Sequence, residues 1–335
     1  MSEREITSPT SLTLPNGRLN RDAVGWARQP LLNTDGIGGR RGWGRNKRWE
    51  YWCVITPRHI VALVASSIDY ADVHEVWLFD RATRKEVGAN AIAPLGGSIT
   101  MPGTLGQGPV RVATKNLSIA IDELGASAGT RLQARTPRVR LDVIAERPAG
   151  HECLAVVVPW SARRFQYTVK DVARPVAGSI WLDEVEIEVP AGQSWAVLDH
   201  GRGRWPYSVK WNWGAASGIS GGHTIGLQLG GQWTSGTGST ENAVLIDQRL
   251  HKISQELVWN YTPGDWLRPW TITGPGLDLL FEPDYDKAST TRLGVISTRT
   301  DQCFGRYSGW YQPDAGPRLE FADLYGWAED VHNRW

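Results

Sequence analysis

Short apolar runs recur along this chain about every 10 to 15 residues, with Gly, Pro or polar turn residues between them. Before Pro159 they are Tyr51–Ile55, Ile60–Ala65, Val73–Asp80, Leu117–Asp122, Arg131–Arg135, Val139–Ile144 and Leu154–Val158. None sustains the 3.6-residue period of a helix. Val73–Asp80 alternates, with Val73, Glu75, Trp77 and Phe79 on one side and His74, Val76, Leu78 and Asp80 on the other. The rhythm resumes after Pro159 in Val169–Val172, Ser179–Asp183, Trp195–Leu198, Thr224–Leu229, Ala243–Ile246, Lys252–Trp259 and Leu277–Phe281. Such a chain is restricted to an all-β fold of meandering sheets or barrels. Only Glu320–Arg334 is long enough for a short terminal helix, and its Asp323–Tyr325 segment fits a strand equally well.

The 335 residues suggest two domains of similar length. The expected division is a surface leader over 1–24, a first β domain over 25–160 and a second over 161–335. A net charge of +1 gives no support to a nucleic-acid partner. No run of about 18 apolar residues is present, so no transmembrane segment is expected. The opening residues lack the apolar core of a signal peptide, which points to a cytoplasmic protein. Cys53, Cys153 and Cys303 are far apart, and the seven His form no HxH or HxxxH pair. Neither a metal nor any other cofactor is therefore expected.

Tryptophan is over-used, at 18 residues against 5 Phe. An indole N–H must be satisfied when buried, so Leu or Phe is the cheaper core filler. Excess Trp fits either a large β core or a flat-walled cavity for a sugar, an isoprenoid or a polycyclic ligand.

The densest chemistry lies at Leu198-Asp-His-Gly-Arg-Gly-Arg-Trp-Pro-Tyr207. Val197–Leu198 reads as a strand end, with Asp199 emerging from it. A carboxyl there can act as a general acid, or pair with Arg202 or Arg204 to fix the turn. His200 faces the other way if the strand persists. Trp205, Tyr207, Trp211 and Trp213 fall on one face of an extended segment, and such a wall stabilises positive charge by roughly 0.5–2 kcal/mol per ring. Glu241 is a candidate second carboxylate, with Asn242 beside it as a binding residue. The basic run Gly42–Trp49 reads as a solvated loop over a barrel mouth.

Gly17–Asn20, Gly25–Arg28, Trp49–Trp52, Leu198–Tyr207, Trp211–Gly214, Thr240–Asn242, Gly305–Gly309 and Gly326–Glu329 together resemble the bacterial DUF2804 family. Asp199-His200, with Gly and Trp close behind, is also similar to a motif of carotenoid hydratase-like proteins. Those proteins, with tocopherol cyclase-like and fungal Diels–Alderase-like ones, have two lipocalin-like barrels and act on apolar polyenes without a metal. This resemblance implies two lipocalin-like antiparallel β-barrel or sandwich domains packed together.

The leading expectation is a cofactor-independent lyase or isomerase that hydrates or cyclises an isoprenoid or polyketide. Asp199 would be its acid, supported by His200 and Glu241. Trp205, Tyr207, Trp211, Trp213, Arg202, Arg204 and Asn242 would contact the substrate. The alternatives are a sugar-processing enzyme or sugar binder that uses Trp platforms and paired carboxylates, and a carrier of lipid or pigment.

Overall fold

The computed structural model describes residues 3–125, 128–293 and 296–335. Among them one 3-10 turn, Arg21–Ala23, is the only helical piece; the regular structure is otherwise β. The chain packs as two units, Glu5–Trp205 and Pro206–Trp335, the latter with Glu3 and Arg4. The division thus falls at Trp205 and Pro206 rather than at the expected 160/161. The reason is the long Arg164–Leu182 strand, which the first sheet uses on both edges.

In the first unit the main path of the sheet runs Lys85–Pro94, Ala71–Asp80, His59–Ser67, Asn46–Ile55, Trp195–Arg204, Arg164–Leu182, Val139–Ala145, Thr130–Arg135, Ser118–Glu123, Val110–Ala113 and Ile99–Thr100. These pairings are antiparallel. The Trp195–Arg204 strand enters between two strands that precede it by many residues, so its neighbours are set by topology and not by local sequence. Leu198, Trp52, Leu63 and Val76 stand opposite one another in register and form one row of the core. Side chains alternate along each strand, so Val197, Asp199, Gly201 and Gly203 look to the opposite face.

The N-terminal segment lies largely exposed along the first unit and is pinned to it at a few positions. Leu12, Leu19 and Ala23 are buried with Phe165, Tyr167 and Val169. Thr10–Ser11 also pairs in parallel with Leu32–Asn33. Covering the apolar face of the Arg164–Leu182 strand is what holds this segment down.

In the second unit the order is Arg249–Ile253, Asn242–Ile246, His223–Gly231, Ser208–Ser220, Leu319–Arg334, Ile296–Tyr311, Leu277–Leu293, Trp270–Gly274 and Val258–Asn260. Leu227, Leu229, Trp270, Phe281, Tyr307 and Ala328 are among its core residues. The helix considered for Glu320–Arg334 does not form. That segment is one strand with a ladder on each side, and the hydrogen bonds of both neighbours outweigh its weak helical pattern. The expected Lys252–Trp259 strand is broken: Arg249–Ile253 pairs with Asn242–Ile246, and Val258–Asn260 pairs with Trp270–Gly274 at the other end of the sheet.

Candidate functional site

The Asp199 strand does not end at Leu198. It pairs to Arg204 on both sides, with Arg204 opposite Asn46 on one edge and Phe165 on the other. Its glycines suit close packing rather than a turn. A Cβ on Gly201 would lie 2.2 Å from the Trp49 ring, so this indole lies flat against the strand because no side chain intervenes.

Asp199 is 8% exposed. One carboxyl oxygen meets Lys170 Nζ at 3.1 Å and accepts a hydrogen bond from Thr168 Oγ1 at 3.1 Å. The other accepts from Trp49 Nε1 at 3.0 Å. Three donors thus face its carboxyl group. Its ion-pair partner is therefore Lys170, and neither Arg202 nor Arg204 as the sequence suggested. Trp205 lies on the same side. Its indole donates to Gln166 Oε1 at 2.6 Å and meets the edges of Trp49 and Trp160 at centroid distances of 5.5 and 5.4 Å. The face thus joins a buried ion pair to a group of indoles.

His200 does face the other way, into the first unit's core. It is fully buried, with Nδ1 3.6 Å from Glu50 Oε1, and neither ring nitrogen makes a hydrogen bond. Burial, then the Arg202 charge, holds its pKa well below the usual histidine value, so the contact with Glu50 involves a neutral ring. Burial also raises the Glu50 carboxyl against the pull of Arg202, whose guanidinium is itself lowered to about 10, chiefly by burial.

Arg202 donates to the carbonyls of Trp49, Gly201 and Pro102. Arg204 donates to Asn46 Oδ1 at 3.0 Å and to the carbonyls of Gly17 and Gly36. Both arginines therefore tie chain segments together on the face away from Asp199.

The aromatic stretch from Trp205 to Trp213 is not one strand. Trp205 belongs to the first unit, while Tyr207 lies in the second, is 43% exposed and precedes the Ser208–Ser220 strand. Within that strand Trp211 and Trp213 do share a face. Trp211 donates to Glu329 Oε1 at 2.8 Å and Trp213 to Gln228 Oε1 at 2.9 Å, with Trp327 edge-on to Trp213 at 4.9 Å. Glu241, in the second unit, is buried and accepts from Trp233 Nε1 at 3.1 Å. Asn242 accepts from the Gly230 N–H and donates to the Gln255 carbonyl, so backbone groups occupy its amide.

Sequence reasoning missed Lys170, Thr168, Gln166 and Trp160. Lys170 and Thr168 come from a strand about thirty residues upstream, and only the register of Val169 with His200 sets them on the Asp199 face. Trp49 was visible within its basic run, but it lies on a strand and not in a loop. Among the described residues no three His, Cys, Asp or Glu gather as a metal-binding group. No described helix is long and apolar enough to cross a membrane.

The family model DUF2804, a domain of unknown function, matches residues 3–335, and the chain belongs to this family. No curated protein matches it in sequence. Among solved structures it is similar to kievitone hydratase from Nectria haematococca, with 10% identity, a TM-score of 0.50 and coverage of 87% of this chain and 89% of that one. It is similar to a putative AttH from Nitrosomonas europaea, with 14% identity, a TM-score of 0.53 and coverage of 90% and 96%. It is also similar to CghA solved with Sch210972, with 9% identity, a TM-score of 0.54 and coverage of 87% and 89%. At these identities the likeness is one of fold: two lipocalin-like antiparallel half-barrels.

Proposed function

We propose that this member of the DUF2804 family is a cofactor-independent lyase or isomerase of the hydratase or cyclase type, acting on a hydrophobic isoprenoid or polyketide. The observation that carries this reading is the buried Asp199–Lys170 pair, 3.1 Å apart, on a face with Trp49, Trp160 and Trp205. Fold likeness to a hydratase supports it at the level of architecture.

The geometry changes the expected chemistry in one respect. Asp199 is paired with Lys170, so as an acid it takes the proton that Lys170 holds. In a dry site the neutral pair, Lys–NH2 and HOOC–Asp, gains on the ionic one. The protonated carboxyl then delivers its proton to a substrate double bond, leaving positive charge on the carbon skeleton. Indole faces stabilise that charge. Water or an internal nucleophile adds, or a neighbouring C–H is lost, and the returning proton restores the pair. Asp199 is the proton-transferring residue, and Lys170, Thr168 and Trp49 position and charge it. The sugar-processing reading needs a carboxyl pair, whereas the partners of Asp199 are Lys170, Thr168 and Trp49.

The test uses the full-length protein with a small-molecule extract of its host in heavy water, followed by mass spectrometry. Carbon-bound deuterium should appear in at least one apolar metabolite with the wild type and vanish with Asp199→Asn. Full incorporation by Asp199→Asn rejects the assignment. A ligand retained by both proteins without any exchange favours the carrier.

A further inference from the structure

The Val110–Ala113, Ser118–Glu123, Thr130–Arg135 and Val139–Ala145 strands point Val112, Ile119, Leu132 and Leu141 into the first unit's core. Their other face, closed by Trp181, forms a groove of about 590 Å³, a size within the roughly 300–1,000 Å³ of small-molecule pockets. Register places Ser118 opposite Arg135, Arg135 opposite Arg140, and Arg140 opposite Trp181. Two guanidinium side chains thus stand directly across from each other on adjacent strands, an arrangement that costs stability unless something offsets the charge.

The acids nearby, Asp142 of the groove lining among them, have partners of their own. Asp122 pairs with Arg111 at 2.5 Å and Asp183 with Arg138 at 2.5 Å. Asp142 is held by Arg131 at 2.6 Å and by Gln133 at 2.9 Å, and Arg140 adds only a smaller pull to its lowered carboxyl. Among the described residues Arg135 has no ion-pair partner, and the Arg140 guanidinium lies 3.6 Å from the centroid of the Trp181 ring.

We propose that this groove binds a small phosphate-bearing molecule, with Arg135 and Arg140 as its principal ligands and Ser118 as a further donor. The planar forks of two arginines match the oxygens of a phosphate group, and their mutual repulsion is relieved when the anion enters.

Isothermal titration of the full-length protein with inorganic pyrophosphate tests this, with citrate as the carboxylate arm. Wild type should bind pyrophosphate at millimolar concentration or tighter. Arg135→Gln and Arg140→Gln should each weaken binding by about tenfold, and the double variant should lose it. Without anion, Arg135→Gln should melt no lower than wild type, because it removes a repulsion. Absence of heat with wild type, unchanged binding by the double variant, or tighter binding of citrate than of pyrophosphate overturns the proposal. A lowered melting temperature for Arg135→Gln does so too, since it marks Arg135 as a structural partner.

Discussion

At the scale of single residues, buried charge is placed with its counter-charge. Asp171 is buried between His151, at 2.7 Å, and Arg174, at 2.8 Å, and Arg174 also donates to the carbonyls of Ala145 and Glu146. Burial alone would raise the Asp171 carboxyl, but Arg174 and then His151 draw it far below the usual carboxylate range. Its contribution to stability is therefore present above the unfolded value near 4 and is lost as pH falls through the folded one. Arg174→Met should cost about 3–5 kcal/mol in urea unfolding at neutral pH, because it leaves Asp171 buried without its main partner. Asp286 has the opposite sign. Burial and then the Asp301 charge raise its carboxyl to about 6. Its contribution is present below about 4 and lost as pH rises through 6. Asp286→Asn should flatten the fall in melting temperature between pH 4 and 7; an unchanged profile counts against this assignment.

At the scale of elements, the Trp195–Arg204 strand shows how a motif that reads as a turn becomes a central strand. Gly201 and Gly203 lower intrinsic strand preference, yet ladders on both edges and the indole of Trp49 and amide of Gln166 over the missing side chains hold the segment extended. Gly201→Ala should therefore destabilise by about 1–3 kcal/mol, since the methyl meets a ring and not the end of a flexible chain. It should also push Trp49 off Asp199 and so reduce proton transfer in the heavy-water assay. Wild-type melting behaviour in this variant would show that the indole can move aside at little cost. The ladder also shifts register between Asp171 and Arg174, where Ala173 sits at φ +55° and the two flanking side chains form a buried ion pair.

At the scale of the whole chain, strands with a neighbour on each side should be the last to open. Hydrogen exchange should be slowest in Asn46–Ile55, Trp195–Arg204 and Leu319–Arg334 and fastest along the edge strand Lys85–Pro94 and the turns of 234–238. Rapid exchange at Asp199 and its neighbours would mean that this strand opens locally and that the packing described for it is transient.

Much of this was legible in the sequence. The spacing of apolar runs and turn residues pointed to the β class, since runs of five to eight residues bounded by turn residues are shorter than the usual helix. The two-residue period placed Asp199 and His200 on opposite faces once the strand was allowed to continue, and it placed Trp211 with Trp213. Tertiary structure alone decided which residues Asp199 meets. Lys170, Thr168 and Trp49 reach it through strand order and register, which depend on contacts far apart in the chain. For the same reason the arginines close to Asp199 in sequence turn to the other face, where Arg202 meets Glu50 and backbone carbonyls and Arg204 meets Asn46 and backbone carbonyls. Adjacency along a strand sends neighbouring side chains to opposite faces, and for Asp199 it is the pairing of distant strands that brings its counter-charge.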